Sequence, residues 1–378
     1  MKALEQLVAN ARKVGAATEK RIEDLDETRA ALAALAALRE AGLIAWTVPK
    51  EFGGADAQDL CAADTVSVRA LCALRSELAW HSGMLDVMFV MQGLGSFPIA
   101  IGGADALRAE VLPAVARGER IAAFALTEPD AGSSLGDVAT RAVKNGDAWR
   151  LDGKKTFISN AGVAHHYCVL ARTSGEIGDT KGLTMFFVPA EARGVEVNRF
   201  EVIGPHPIGD VAFSKVEVPD THRLGPEGGG LAIAIATLNR FRPSVAACAN
   251  GFARRALDES MKRLLSRKQF GKPLAAFQSL RFDIAEMDMR LRAAELLVDE
   301  AARLSDEGGS AAAAVARAKL FATENAGWIC DRAVQHFGGL GVKKGSVVER
   351  IYRDVRALRI YEGSSEIQKL ILAKELLG

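Results

Sequence analysis

Five short strings carry side chains whose types and order suit chemistry. Phe124-Ala-Leu-Thr-Glu-Pro-Asp-Ala-Gly-Ser133-Ser134 gathers hydroxyls and a glycine where a strand runs into a loop. Its Thr, Ser and Gly N–H groups can hydrogen-bond a polar heterocycle or a phosphate, although alone it is a polar turn. Lys155-Thr-Phe157-Ile-Ser159-Asn-Ala-Gly162 is a strand entering an Asn-Ala-Gly turn. Ser266-Arg267-Lys-Gln-Phe-Gly-Lys-Pro273, followed by Phe277-Gln278, has a cationic helix end and a Gly-Lys-Pro stop. Gln335-His-Phe-Gly-Gly-Leu-Gly341 ends a helix in glycines, which let backbone approach a phosphate closely. In Ile360-Tyr-Glu362-Gly-Ser-Ser-Glu-Ile-Gln368, Ser365 and Gln368 read as a capping box for a last helix. That cap leaves Glu362, which precedes it, without a structural account.

The elements around these strings change character twice. The first third is helical in texture: Ala30 to Ala41 is Ala/Leu-rich, and 58–92 has few breakers apart from Gly83. Pro49 and Gly53-Gly54 mark an early loop. Gly102-Gly103 is a break before helical composition resumes at Ala104 to Arg117. From Ile121 the residues turn β-branched and aromatic, with Asn145-Gly146-Asp147 as a hairpin turn. Short strands are predicted at His166–Ala171, Leu183–Val188, Val195–Ile203 and Val211–Val218. After Gly228-Gly229-Gly230 come predicted helices over 231–266, 278–306, 311–336 and 365–377. The predicted fold is mainly α with a central β domain. A helical N-terminal domain spans 1–120, a small barrel or sandwich 121–225 and a C-terminal four-helix bundle 226–378. No GxGxxG follows a strand, which argues against a Rossmann fold.

Bulk composition narrows the partners. Lys+Arg is 48 and Asp+Glu 47, a net charge of +1 that gives no reason to expect nucleic acid or an anionic membrane. No uninterrupted apolar run reads as long enough to span a bilayer. The N-terminus is too charged for a signal peptide and too acidic for a transit peptide, so a cytoplasmic location, or one inside an organelle after processing, is expected. Cys61, Cys72, Cys168, Cys248 and Cys330 have no CxxC spacing, and reduced, mostly buried thiols are expected. His81, His165, His166, His206 and His222 show no metal-ligand spacing and are assigned to packing and surface.

Taken together, the strings resemble the acyl-CoA dehydrogenase family, in its order and at matching separations, over most of the chain from Phe124 to Gln368. The first resembles TEPxAGSD, with Ser134 in place of Asp, and the second K-x-W-I-T-N-G, with Phe157 and Ser159 for Trp and Thr. The others resemble R-x-x-F-G-x-x-(I/L)-x-x-x-Q, Q-x-x-G-G and I-Y-E-G-(T/S)-S-(E/Q)-I-Q. Val48-Pro-Lys-Glu-Phe-Gly-Gly54 and the Gly103…Leu112-Pro113…Gly118 run also fit. Departures are Asn239 for the Asp of L-D-x-x-R, and a shorter Ile203-Gly-Pro-His206-Pro-Ile-Gly209 where relatives carry G-x-R-x-S. Some relatives carry a base within L-D-x-E-R; Phe241 stands at that place here.

The resemblance implies noncovalent FAD and α,β-dehydrogenation of an acyl-CoA thioester. Glu362 would be the base and flavin N5 the hydride acceptor. It implies flavin contacts from Phe124, Leu126, Thr127, Gly132, Ser133, Phe157, Ile158 and Ser159. The remaining FAD contacts fall to Arg267, Gln269, Phe270, Phe277, Gln278, Gln335, Phe337, Gly338, Gly339, Ser364 and Glu366, with Arg267 and the Q-x-x-G-G string at the pyrophosphate and adenosine end. A guanidinium suits a pyrophosphate, and in relatives this Arg reaches a neighbouring subunit's FAD. Ser133, Asn239, Arg242 and Gly363 are implied in substrate binding. The implied partners are an acyl-CoA, an electron-transfer flavoprotein as acceptor and further copies of the chain in a homotetramer. An acyl-CoA oxidase passing electrons to oxygen would use the same motifs, whereas net charge near zero and the presence of Glu362 argue against a flavin-binding relative without acyl-CoA turnover. Desolvation would raise the Glu362 pKa, and the following helix N-terminus would lower it.

Overall fold

The computed structural model describes residues 2–61 and 65–378. The chain runs α1 (Lys2–Glu23), α2 (Glu27–Glu40), α3 (Val68–His81), α4 (Gly83–Gly102) and α5 (Asp105–Ala116). The strands follow: β1 (Ala122–Ala125), β2 (Arg141–Asn145), β3 (Ala148–Ser159), β4 (His166–Arg172), β5 (Leu183–Pro189), β6 (Val195–Arg199), β7 (Ile208–Pro219) and β8 (Arg223–Leu224). Then come α6 (Gly230–Ser266), α7 (Gln278–Asp306), α8 (Ala312–Phe337), α9 (Val347–Arg356) and α10 (Ser365–Leu377). The chain divides into two compact units. One comprises Met1–Ala16, Val68–Asp86 and Arg242–Gly378; the other comprises Ala17–Ser67 and Val87–Phe241.

In the helical unit, α8 is built from strong helix formers, and Ala314, Ala318, Ala322, Ala326, Ile329, Cys330 and Ala333 keep a buried stripe at i, i+4 spacing. It shares a core with Ala246, Ala249, Ala253 and Ala256 of α6 and with Met287, Leu291, Ala294 and Val298 of α7. Small side chains let the helix backbones come close. The bundle also takes in α3, which starts where Asp306 accepts from Val68 N at 2.7 Å and from Arg69 N at 3.1 Å. A carboxylate there satisfies first-turn N–H groups and complements the helix dipole. This cap lies 238 residues away in sequence, so no local signal announces it.

The β unit carries an eight-stranded sheet ordered β6-β7-β3-β2-β4-β5-β8, with β1 parallel to β4. The expected hairpin is present: Asn145 pairs Ala148, and Gly146 sits at φ +62°. Alternation along β4 sends Tyr167, Val169 and Ala171 into one core with Trp149, Leu151 and Phe213. Cys168 and Leu170 face the other core, with Ile99, Val111, Leu112 and Val115 of α4 and α5.

Several boundaries differ from the reading above. The described part of 58–67 is turn and irregular backbone, closed by Leu60 N and Cys61 N donating to Ala57 O. The break expected at Gly83 separates α3 from α4: Gly83 begins α4, and Ser82 Oγ accepts from Met84 N at 3.2 Å. β6 stops at Arg199, short of the expected Ile203, with Phe200 N still donating to Ile208 O at 3.3 Å. α9 went unread although Val348, Ile351 and Val355 are buried at helical spacing. By length and composition α4 could cross a membrane, contrary to the reading of the apolar runs, but 89% of its most apolar window is buried in the protein.

Candidate active site

Glu362 occupies a short loop between a 3-10 turn at Ala357–Arg359 and α10. Its backbone is left-handed, with φ +53°, and Gly363 follows at φ +90°. The left-handed region costs a non-glycine residue roughly 1–2 kcal/mol, so something must hold it there. Arg242 Nε donates to the Glu362 carbonyl at 2.8 Å. The Gly363 carbonyl accepts from Lys319 Nζ at 2.7 Å and from Gln368 Nε2 at 2.9 Å. Ser365 Oγ bonds Glu324, which also receives Arg359 Nη1 at 2.9 Å. The expected capping box is therefore not formed. Ser364 is the N-cap but makes no side-chain capping bond, while Ser365 and Gln368 serve the loop.

This tethering leaves the carboxyl itself free to react. Glu362 is half-buried, and its Oε2 is buried with no hydrogen-bond partner. Burial lifts its pKa above the ordinary carboxylate value. The Arg75, Arg242 and Lys319 cations oppose that rise, and Asp86 adds to it. Desolvation therefore wins over the stabilising terms. Arg75 is itself fully buried and bidentate to Asp86, at 2.7 Å for both contacts, with Ser244 Oγ at 3.0 Å. Cys248 Sγ donates to the same carboxylate at 3.2 Å.

In the same unit, the string at 266–278 forms a small hairpin with Lys272 paired to Gln269. Arg267, Gln269 and Gln278 are exposed, and Phe270 is 91% exposed at φ +50°. Phe277 is half-buried, 4.3 Å beneath the Lys272 ammonium. Arg263 in the last turn of α6 lies over the Phe337 ring at 5.5 Å, which brings this string beside the glycine string. Gln335, Gly338 and Gly339 are exposed, Gly338 has φ +59°, and a Cβ at either glycine would meet nothing within 4 Å. Ser364 is half-buried and Glu366 exposed.

In the β unit, Thr156 N donates to Thr127 O at 2.9 Å, so the first two strings lie side by side. Beneath them Lys155 Nζ donates to Glu128 Oε1 at 2.7 Å and to Leu126 O at 2.9 Å. Glu128 also accepts from Ala139 N and Thr140 N at 2.7 and 3.0 Å. The pairing of β3 with β7 is irregular between Lys155 and Ile158. That irregularity sets Phe157 at φ +54° and turns its ring outward, 60% exposed, while Lys155 and Ile158 stay buried. Phe157 meets Phe200 edge-on at 5.1 Å. Ser159 Oγ lies 3.4 Å from His206 Nε2, in the short segment that departs from the family pattern. Gly132 and Ser133 are exposed, Thr127 and Phe124 half-buried, and the Leu126 and Ile158 side chains lie in the core. Asn239 is exposed on α6, and the Phe241 ring is fully buried against Gly93, where any Cβ would come within 2.2 Å of it.

Sequence reasoning named Glu362 and Arg242 but missed Lys319, Lys155 and Glu128. A lysine among alanines on the buried stripe of α8 was the available signal for Lys319. Among the described residues no group of three His, Cys, Asp or Glu side chains could hold a metal ion.

Known proteins align with this arrangement along nearly its whole length. Residues 2–119, 123–216 and 228–377 match the N-terminal, middle and C-terminal domains of acyl-CoA dehydrogenase. A 3-(aryl)acrylate reductase of Clostridium sporogenes is 39% identical, over 89% of this chain and 88% of that protein. A cyclohexane-1-carbonyl-CoA dehydrogenase of Geobacter metallireducens is 36% identical, over 91% of this chain and 88% of that protein. The butyryl-CoA dehydrogenase structure from Megasphaera elsdenii superposes with a TM-score of 0.92 at 31% identity, covering 100% of this chain and 99% of that one. With three matched domains in the right order, the chain belongs to the acyl-CoA dehydrogenase family.

Proposed function

We propose that this protein interconverts an acyl-CoA thioester and its 2-enoyl-CoA, with Glu362 moving the α-proton. One observation carries the reading: a carboxyl oxygen buried without a partner, on a backbone fixed in a strained conformation by cationic side chains. A structural carboxylate would be paired. An unpaired one with a raised pKa is a stronger base than a free glutamate and is poised to take a weakly acidic proton.

The residues fit FAD. Phe157 offers an exposed ring for stacking, and Ser159, Thr127 and Ser133 offer hydroxyls on the adjoining loops. Arg267 and the Cβ-free turn at Gly338-Gly339 suit a pyrophosphate. When bound, the flavin supplies the acceptor for the β-hydride. The Glu362 backbone N–H is the donor proposed for the thioester oxygen as charge develops there.

The same carboxyl protonates the α-carbon when the reaction runs toward the saturated thioester. Likeness to an acrylate reductase makes that direction a specific second reading. We further propose an electron-transfer flavoprotein as redox partner, a homotetrameric assembly and a cytoplasmic location. Flavin bleaching by a panel of acyl-CoAs, and reoxidation by enoyl-CoAs, electron-transfer flavoprotein or air, tests the function and its direction. A flavin that no acyl-CoA bleaches and no enoyl-CoA reoxidises would overturn it.

A further inference from the structure

We propose that Lys319 is a positioning residue for the reaction: its buried ammonium locks the peptide after Glu362 and sets a fixed positive charge against the loop that carries the base. The inference rests on the reading of Glu362 as base.

The geometry is unusual for a packing lysine. Lys319 is fully buried in the middle of α8, with Ala316, Ala318, Ala322 and Thr323 buried around it. Burying an ammonium is costly unless it is compensated. Its hydrogen bond goes to a neutral acceptor, the Gly363 carbonyl at 2.7 Å, and so to the strained Glu362–Gly363 segment. Arg242 holds the preceding carbonyl from another helix, so two cations clamp consecutive peptides. Gln368 also donates to Gly363 O, so an uncharged donor is already present there. The charge of Lys319 therefore adds something that a second hydrogen bond would not.

The groups acting on Glu362 are Arg75 from α3, Asp86 from α4, Arg242 from α6 and Lys319 from α8. Arg75, the cation acting most strongly on the carboxyl, is committed to its bidentate pairing with Asp86 and to Ser244, and its hydrogen bonds do not go to the 362–363 carbonyls. Glu324 and Glu366 act in turn on Lys319. Lys319 and Arg242 are thus the cations of the set that also hold the loop. Burial brings the Lys319 pKa down to about 8, so the ammonium is charged across the acid and neutral range.

The test compares Lys319→Met, Lys319→Gln and Lys319→Arg with the parent and Glu362→Gln, all loaded with FAD. Two readouts are followed against pH: flavin bleaching at saturating acyl-CoA, and the carboxylic C=O stretch in infrared difference spectra with Glu362→Gln as blank. Both neutral variants should move the acid limb and the carboxyl midpoint up by about one unit. Bleaching below the limb then slows about tenfold, while acyl-CoA affinity stays within about threefold. Lys319→Arg should restore the midpoint. If the midpoint stays in place in the neutral variants, or affinity falls in step with rate, the proposal is overturned. Should Lys319→Met not fold, Lys319→Gln is decisive. If neither folds while Lys319→Arg does, Lys319 is a packing residue and the proposal fails. Parental bleaching by Glu362→Gln would instead remove the base assignment itself.

Discussion

Lys155 and Glu128 form a buried ion pair beneath two of the loops assigned to the flavin, with Nζ 2.7 Å from Oε1. Lys155 is fully buried, and Glu128 also accepts from two backbone N–H groups of the 139–140 segment. The pair therefore joins β3 to the 127–140 loop from within the core.

Breaking that pair should destabilise the β unit strongly. Lys155→Ala leaves a buried carboxylate without its counter-ion, which costs about 3–5 kcal/mol, whereas Lys155→Met with Glu128→Gln should cost less than the sum of the single changes. The Glu128 pKa is lowered by Lys155 and by its hydrogen bonds, against burial. Its stabilising contribution is thus present above the unfolded carboxylate value and is lost as pH falls through the folded one. Thermal unfolding from neutral to acid pH should show a steeper decline in the parent than in Glu128→Gln. Equal slopes would contradict this account.

Glu362→Gln should bind acyl-CoA yet lose flavin reduction by several orders of magnitude, because an amide cannot accept the proton. Activity of the parent should fall as pH drops through the raised Glu362 pKa. The stability sign runs the other way. A carboxyl whose folded pKa is raised binds its proton more tightly when folded, so its ionisation opposes folding as pH rises. At neutral pH, Glu362→Gln should melt at or above the parent temperature. A clear drop in melting temperature would show that the carboxylate is a structural partner.

Arg267→Ala should weaken FAD retention and the assembly together, if its guanidinium reaches a pyrophosphate held by a second copy. Phe270, almost fully exposed at the hairpin tip, is expected to be covered in that assembly. Light scattering and flavin content check the point. A monomer with full FAD occupancy would refute it.

Acyl length should be restricted. Phe89 and Met91 are buried on α4, and the Phe241 ring fills the space over Gly93. In the family that the sequence resembles, the helical stretch just before the 93–98 segment helps to floor the acyl pocket. Closely packed side chains there leave little volume for methylenes, so short, branched or cyclic acyl groups are expected. Each methylene that does not fit should cost on the order of 1 kcal/mol or more. A profile peaking at straight chains of about eight or more carbons would sink this expectation.

The order of elements was legible because period and composition change sharply near Ile121 and again near Gly230. The motif strings were legible because glycines, hydroxyls and one carboxylate recur in a family order. What stayed hidden was non-local. The start of α3 depends on Asp306, which lies at the far end of α7 in sequence. Ser365 and Gln368 looked like a local capping box, yet Glu324 and the Gly363 carbonyl compete successfully for them. A lysine on the alanine stripe of α8 marked Lys319 as out of place, but its acceptor lies 44 residues away and no local signal names it.

The five cysteines are all free and all buried, and burial raises the thiol pKa of Cys72, Cys168, Cys248 and Cys330. Thiolate and access are both needed for alkylation, so the folded protein should be nearly silent to maleimides. That silence makes the native chain a ready background for site-directed labelling. A single cysteine placed at Phe270 or Phe157 would carry a fluorophore or spin label without removing any native thiol. Its signal would then report cofactor loading and subunit exchange in real time.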